Sequence, residues 1–211
     1  LGTTQTLAWA SSYYLPAILA DPISKEFGIS SNWFFAAFSG SLIISGLLGP
    51  LVGRKIDVLG GREIISISNA LFAAGLCLLG AAHSVSVFLC AWLILGVGMA
   101  LGLYDAAFAA LGQVYGNKAR LAITGITLIA GFASTIGWPL TAWGVTAIGW
   151  RETCFGWAAA HIFLALPLNL YFLPKGGAGP LQRQASAKPH IKIDRTMIAL
   201  AFAFATAWSV T

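Results

Sequence analysis

The sequence contains very little charge. Charged residues make up 9% of the 211 residues, whereas hydrophobic residues make up 58%. Soluble domains carry about 25% charged residues, so this chain has too few charges to cover a soluble surface. Its apolar residues are also spread along the whole length. The composition therefore excludes an ordinary soluble domain and predicts a multi-pass integral membrane protein in contact with the lipid bilayer.

Cysteines and the usual enzyme motifs are also scarce. The three cysteines are odd in number and lie in or beside apolar runs, which predicts neither a disulfide framework nor a metal site. No Walker, His-Glu-x-x-His or Gly-x-Ser-x-Gly pattern occurs in the sequence. We therefore expect no enzyme, no catalytic residues, no cofactor and no metal.

Apolar runs follow one another along the chain. About 20 helical residues at 1.5 Å per residue cross a hydrocarbon core of about 30 Å, and lipid cannot satisfy the hydrogen bonds of an open backbone. The runs therefore predict membrane-spanning helices. The six complete spans cover residues 2–20, 32–52, 64–82, 85–114, 121–148 and 153–173, and a seventh starts at residue 196.

The basic residues lie almost entirely in alternate links between these spans. The links after spans two, four and six hold ten of the twelve Lys and Arg residues, and only Lys25 and Arg151 lie elsewhere. The positive-inside rule then places the even-numbered links in the cytoplasm, with the plasma membrane, or the bacterial inner membrane, as the location. The net charge of +5 thus reflects membrane topology and predicts no nucleic-acid partner. Arg151, directly before Glu152, is expected to form an ion pair or a cap.

The link at residues 174–195 differs from the others because it is long and rich in Gly, Pro and polar residues. That composition is typical of a flexible linker. It predicts three regions: a six-helix transmembrane bundle at 1–173, a cytoplasmic linker at 174–195, and the start of helix seven at 196–211. The chain begins at Leu1 and stops inside an apolar run, so we expect a fragment of a longer protein.

The decapeptide at residues 53–62 joins spans two and three. It carries one acidic residue among three basic residues, and its two neighbouring spans predict that it forms a short charged turn. Gly53, Asp57, Gly60 and Arg62 match the pattern Gly-x-x-x-Asp-Arg/Lys-x-Gly-Arg-Arg/Lys, in which Val58 and Gly61 stand at positions that are usually basic. With this pattern in this position, the chain resembles the major facilitator superfamily.

The resemblance implies a fold and a function. The fold is an all-α membrane bundle of six helices, built as two inverted three-helix repeats, with a second six-helix half missing from this chain. The function is secondary active transport of a small-molecule substrate by alternating access, as a symporter or antiporter that could also move protons. In the family the decapeptide acts in gating, and its charged residues, here Asp57 and Arg62, pair with the neighbouring bundle. Apart from the resemblance, two alternatives stay open: Asp57 caps a cytoplasmic helix through the helix dipole, or the decapeptide is a solvated turn.

A narrower resemblance concerns the substrate. Gly149-Trp150-Arg151 after span five, with Tyr104 closing a glycine-rich stretch in span four, is similar to the monocarboxylate and oxalate–formate branch, which implies a carboxylate substrate. One alternative is a proton-coupled drug efflux antiporter, although Trp92 and Trp138 depart from that pattern. A second alternative, from another class, is a non-transporting receptor or a membrane-embedded enzyme.

Four residues inside the spans are candidates for substrate contact or proton coupling. Asp105 is the only acid deep inside an apolar span, where a charge costs about 2.5–3.5 kcal/mol and usually lines a cavity or has a partner. The other three candidates are its neighbour Tyr104, Tyr13 in span one and His161 in span six. His161 could carry a proton or could simply be a packed residue.

Small residues and proline predict how two spans behave. Gly96, Gly98 and Gly102 in span four should let neighbouring helices approach closely. Pro139 removes the bond to the carbonyl of Thr135, so span five is expected to bend there.

Overall fold

The computed structural model describes residues 1–175, and these residues form helices without any strand. The predicted linker from residue 176 onward and the start of span seven lie outside the described residues. A 3₁₀ turn at Gly116–Lys118 and a π-helical segment at His161–Ala165 interrupt the α-helices. The α-helices are α1 (Gly2–Ser11), α2 (Pro16–Phe27), α3 (Ser31–Leu59), α4 (Gly61–Gly80), α5 (Val85–Gly102), α6 (Tyr104–Tyr115), α7 (Ala119–Ala130), α8 (Ala133–Ile148), α9 (Trp150–Ala160) and α10 (Leu166–Phe172).

Three of the predicted spans are single helical runs and three are interrupted. Span two is α3, span three is α4, and span six is α9 continuing through the π segment into α10. Spans one, four and five are the pairs α1–α2, α5–α6 and α7–α8. Among the described residues, four helical stretches are long and apolar enough to cross a membrane: Ser31–Leu59, Gly61–Gly80, Val85–Ile148 and Trp150–Phe172. The third contains predicted spans four and five, and α1 and α2 are each too short alone.

Span five is interrupted at a point other than Pro139, and the bend predicted at Pro139 stays a prediction. Its break lies at Gly131 and Phe132, between α7 and α8, whereas α8 continues through Pro139 to Ile148. A proline removes one backbone bond but does not by itself end a helix whose other bonds are kept. The break instead follows Ala130: the amide of Gly131 keeps the helical bond to the carbonyl of Thr127, but the amide of Phe132 bonds three residues back, to the carbonyl of Ile129.

The core forms around α4, which packs most extensively against α5 and α9, while α3 packs against α5. Fully buried aromatic side chains fill this region: Phe34, Phe72, Phe88 and Trp92. The predicted close approach at the span-four glycines is confirmed. A Cβ on Gly96 would lie 2.7 Å from the carbonyl oxygen of Ser41 in α3, and a Cβ on Gly102 would overlap the Ser68 hydroxyl in α4.

The surface of the bundle is largely apolar. Leu121 and Phe163 are 83% and 80% exposed, and large hydrophobic side chains are exposed on most helices. In water a surface of this kind would drive association. In a membrane it is the expected outcome, because lipid tails are as apolar as the side chains themselves.

Two glycines join helices in the same unusual conformation. Gly60, between α3 and α4, has φ 96° and ψ 153°, and Gly149, between α8 and α9, has φ 98° and ψ 161°. This backbone region is essentially restricted to glycine. Each glycine joins the second and third spans of a set of three, and an arginine follows two residues later. The two sets of three spans therefore share a local geometry, which agrees with the implied repeat.

The predicted outer end is held by Arg151. Its Nη1 donates to the carbonyls of Gly80 (2.8 Å) and Ala82 (2.5 Å), and its Nη2 pairs with Glu26 Oε1 (2.5 Å). The expected ion pair and cap are thus present, but the partner is Glu26 rather than Glu152. Arg151, and secondly the indole N–H of Trp150, bind the Glu26 carboxylate and lower its pKa from the ordinary value of 4.5.

Candidate functional site

Spans one and four, the first helix of each three-helix set, are both broken inside the bundle. In span one, α1 ends at Ser11 and α2 begins at Pro16, whose fixed φ suits the first turn of a helix. In span four, Leu103 adopts an extended conformation between α5 and α6. Irregular backbone at membrane depth is tolerated where it is buried in protein or lines a cavity. Paired breaks in corresponding helices are also the best structural indication of a binding site in transporter folds.

Gln5 connects the two broken helices. Its Nε2 donates to the carbonyl oxygen of Gly102 at 2.6 Å, at the end of α5. The side chain is 1% exposed, and its Oε1 has no hydrogen-bond partner among the described residues. The link thus fixes α1 against the break in span four and leaves one buried acceptor there.

Aromatic rings cluster around both breaks. Trp9 lies 4.7 Å from Tyr104 and 5.1 Å from Tyr13, measured between ring centroids. Tyr14 contacts Trp138 edge-on, and the indole N–H of Trp138 donates to the Tyr14 carbonyl oxygen at 3.1 Å. Further ring contacts complete a continuous surface, which we call the aromatic face: Trp9, Tyr13, Tyr14, Phe38, Tyr104, Phe108 and Trp138.

Asp105 lies beside this face. It is the second residue of α6, in the first turn, where the helix dipole favours a carboxylate. Its side chain is exposed and makes no ion pair or hydrogen bond with any residue in the described part of the chain. Tyr104 precedes it and stacks on Phe108 at 5.1 Å. The structure thus brings Tyr13 and Tyr104 together through Trp9 and places Asp105 next to them.

His161 occupies a different place from the other three candidates. It is fully buried, stacks on Phe72 in α4, and contacts Ser11 and Asn69 through its two ring nitrogens. The structure therefore does not bring His161 to the aromatic face. It lies behind that face, between α1, α4 and the π segment of span six.

The charged decapeptide is mostly helix rather than a turn. Residues 53–59 complete α3, and only Gly60 is non-helical before α4 begins at Gly61. Asp57 is exposed and lies near the C-terminal end of α3, so it caps no helix among the described residues. Arg62 is half-buried, and its Nε has no partner within residues 1–175.

Gly61 explains one departure from the family pattern. A Cβ on Gly61 would overlap the Cβ of Ala110 in α6, so α4 and α6 touch at this point. A basic side chain, which is usual at this position in the pattern, would separate the two helices. Nearby, Gln113 of α6 donates to the carbonyl of Ile56 at 3.0 Å, which ties the same helix to the end of α3.

Sequence reasoning missed several members of the aromatic face. Trp9 and Tyr13 are four residues apart, as are Tyr104 and Phe108, which is the spacing that puts two rings on one side of a helix. That signal was available. The contribution of Phe38 from α3 was not, because it depends on how the helices pack.

Comparison with known proteins identifies the family. The sequence model of the Major Facilitator Superfamily matches residues 1–211. The chain is 35% identical over 186 residues to mouse solute carrier family 2, facilitated glucose transporter member 10, covering 80% of this chain and 33% of that protein. It is 28% identical over 188 residues to vacuolar basic amino acid transporter 1 of Saccharomyces cerevisiae, covering 84% and 32%. An uncharacterized MFS-type transporter of Bacillus subtilis is 26% identical over 135 residues, covering 62% and 28%.

The chain spans about a third of the length of the curated relatives that it matches. Its decapeptide, its all-helical fold with paired breaks, and the family match over the full length agree with one another. The chain belongs to the major facilitator superfamily and forms part of an integral membrane protein.

Proposed function

We propose that this chain is the first half of a secondary active transporter that moves a small solute by alternating access. The observation that carries the proposal is the pair of breaks in spans one and four with the aromatic face across them. The face would form this half's share of the solute site, and the missing C-terminal half would complete it. Its rings suit a solute with a flat apolar side, since ring faces bind C–H groups and cations.

The charge near the site favours a solute without net negative charge. Asp105 supplies one carboxylate beside the face, and no Lys or Arg lies on the face in the described part of the chain. A solute with net negative charge would need a cation there, which only the missing half could provide. The name of one relative specifies glucose, which is neutral, and that of another specifies basic amino acids, which are cationic. These names support a neutral or cationic solute here.

Counterflow tests the solute class. Full-length protein in proteoliposomes should exchange labelled glucose or lysine, and should not exchange lactate. Exchange of lactate alone, or of none of the three, would contradict the proposed class.

Substitution tests the aromatic face itself. Tyr104→Ala removes a ring that contacts Trp9 and should raise the KM for exchange by about tenfold, which corresponds to the upper end of the range of about 0.5–1.5 kcal/mol for a lost aromatic contact. Tyr171→Ala is the matched control, because Tyr171 is 83% exposed on α10 and contacts only Phe172 among the described rings. Equal effects of the two substitutions would argue against the face as the solute site.

The decapeptide is proposed as the gate. Exposed Asp57 and the unpartnered Nε of Arg62 leave both residues available to groups outside residues 1–175. Asp57→Asn should slow transport and shift labelling of the protein between its inward-open and outward-open states. Unchanged transport and labelling would exclude the gating role.

The orientation proposed from the basic residues has a direct test. His83 and Asn117 are both exposed, in the links after spans three and four. In a cysteine-free background, a membrane-impermeant maleimide added to intact cells should label His83→Cys and leave Asn117→Cys unlabelled. The reverse result would invert the proposed topology.

A further inference from the structure

A buried polar cluster connects three spans behind the aromatic face. Its members are Ser11 at the end of α1, Asn69 in α4 and His161 in the π segment, and all three side chains are buried. His161 Nε2 lies 2.7 Å from Ser11 Oγ, and His161 Nδ1 lies 3.0 Å from Asn69 Oδ1. The histidine ring also stacks on Phe72 with centroids 4.8 Å apart.

The hydrogen bonds of this cluster define the donors and acceptors. Asn69 Nδ2 donates to the carbonyl of Ile65 at 2.7 Å, so its Oδ1 must accept from His161. His161 Nδ1 therefore carries the proton, and in the neutral ring Nε2 accepts. The single hydroxyl proton of Ser11 is then shared between Nε2 and the carbonyl of Leu7, which lies 2.8 Å from the Ser11 hydroxyl. Asn69 thus fixes the ring, and the ring fixes Ser11.

Ser11 is the residue at which span one stops being helical. It is the last residue of α1, and the break that follows carries Tyr13 and Tyr14 of the aromatic face. His161 is itself the first residue of the π segment. That segment leads directly into α10, which has Pro167 in its first turn. Single π turns in α-helices are frequent at functional sites. The cluster therefore joins an irregular point of span six to the break in span one.

We propose that His161 is a positioning residue for the solute site. Held by Asn69, it fixes the hydroxyl of Ser11, sets the point at which α1 ends, and thereby places the rings of Tyr13 and Tyr14. This assigns His161 neither solute contact nor proton transfer. The inference rests on the proposed function of the aromatic face.

Ser12 provides a matched control. Ser11 and Ser12 are adjacent and fully buried, and each hydroxyl lies near a carbonyl of α1: Leu7 for Ser11 at 2.8 Å and Ala8 for Ser12 at 2.6 Å. Only Ser11 also contacts His161. Any difference between Ser11→Ala and Ser12→Ala therefore reports the bond to the histidine.

The experiment uses the full-length protein in nanodiscs and proteoliposomes. In Ser11→Ala and His161→Phe, hydrogen exchange at the amides of residues 12–15 should rise, and the KM of counterflow should increase by about fivefold with kcat little changed. Ser12→Ala should leave both measurements near wild type. The amide of a glutamine at this position can donate to Asn69 and accept from Ser11. In His161→Gln, amide exchange at residues 12–15 and the KM of counterflow should therefore lie near the wild-type values, unlike in His161→Phe.

Two results would overturn the inference. One is an equal effect of Ser11→Ala and Ser12→Ala. The other is a lower melting temperature in His161→Phe without any local change in amide exchange at residues 12–15, which would indicate packing alone. The two proposals can fail separately. Failure of counterflow in the unaltered protein would count against the proposed function, whereas amide exchange needs no transport and still tests whether His161 positions the break.

Discussion

Replacing Arg151 by alanine removes the group that joins the three links at the predicted outer end. Its guanidinium binds the carbonyls of Gly80 and Ala82 at the end of span three and the carboxylate of Glu26 in the first link, while Arg151 itself lies in the fifth link. A hydrogen bond from a charged group contributes about 1.5–3 kcal/mol to stability. The Arg151 side chain is 19% exposed, so its two carbonyl bonds are only partly screened by water.

The Glu26 bond contributes less. The side chain of Glu26 is 44% exposed, and exposed ion pairs contribute about 0.2–1 kcal/mol. With the carbonyl bonds at the low end of their range, Arg151→Ala should cost about 3–4 kcal/mol and Glu26→Gln about 1 kcal/mol. Arg151→Lys keeps the charge but cannot fork between partners, so its cost should fall between these two values.

Thermal unfolding of the full-length protein in nanodiscs, followed by tryptophan fluorescence, measures this order. The melting temperature should fall most in Arg151→Ala, less in Arg151→Lys and least in Glu26→Gln. If Glu26→Gln were as destabilising as Arg151→Ala, the carbonyl bonds would contribute nothing and the ion pair would hold the links alone. That result would refute the reasoning.

Three further changes have expected outcomes. Because the pKa of Glu26 is lowered in the folded protein, its stabilising effect is present above the ordinary value of 4.5 and should disappear as the pH falls through the folded value; melting curves of wild type and Glu26→Gln should converge in that acid range. Gly61→Ala should destabilise by about 1–3 kcal/mol through overlap with Ala110, and Ala110→Gly should rescue it, as a double-mutant cycle by thermal unfolding would reveal. Asp105→Asn should keep counterflow but lose accumulation driven by a proton gradient, since a carboxylate that can take up a proton is removed; accumulation at the wild-type level would exclude proton coupling at this residue.

The family and the helical class could be predicted because both depend on local sequence. Long uncharged runs leave the backbone only its own hydrogen bonds to use, so they must be helical in lipid. The residues of the decapeptide indicated the family before any contact was known, and the family match confirms that prediction. Its description as a charged turn was wrong, because α3 continues to Leu59 and Gly60 alone reverses the chain.

The candidate site was only partly predictable. Tyr13, Tyr104 and Asp105 were identified because polar or ionisable groups inside an apolar span are costly. Their assembly depends on breaks at residues 12–15 and at Leu103. Pro16 and Gly102 adjoin these breaks, but Pro50 and Pro139 lie inside continuous helices, so such residues alone do not indicate where a span breaks. His161 showed the limit most clearly: its sequence neighbours are apolar, and its partners Ser11 and Asn69 are more than 90 residues away along the chain.

The sequence by itself determined that this chain crosses a membrane as helices, which links carry the basic residues, and to which superfamily it belongs. Hydropathy, charge and a short motif act over a few residues, so they can be read along the chain. Only the tertiary structure decided which helices break, which rings meet at the aromatic face, and that Arg151 binds Glu26 rather than its neighbour. Those outcomes depend on packing between helices that are distant in sequence. A glycine allows close contact, and a carbonyl at a helix end accepts a hydrogen bond, only when a residue of another helix lies next to it.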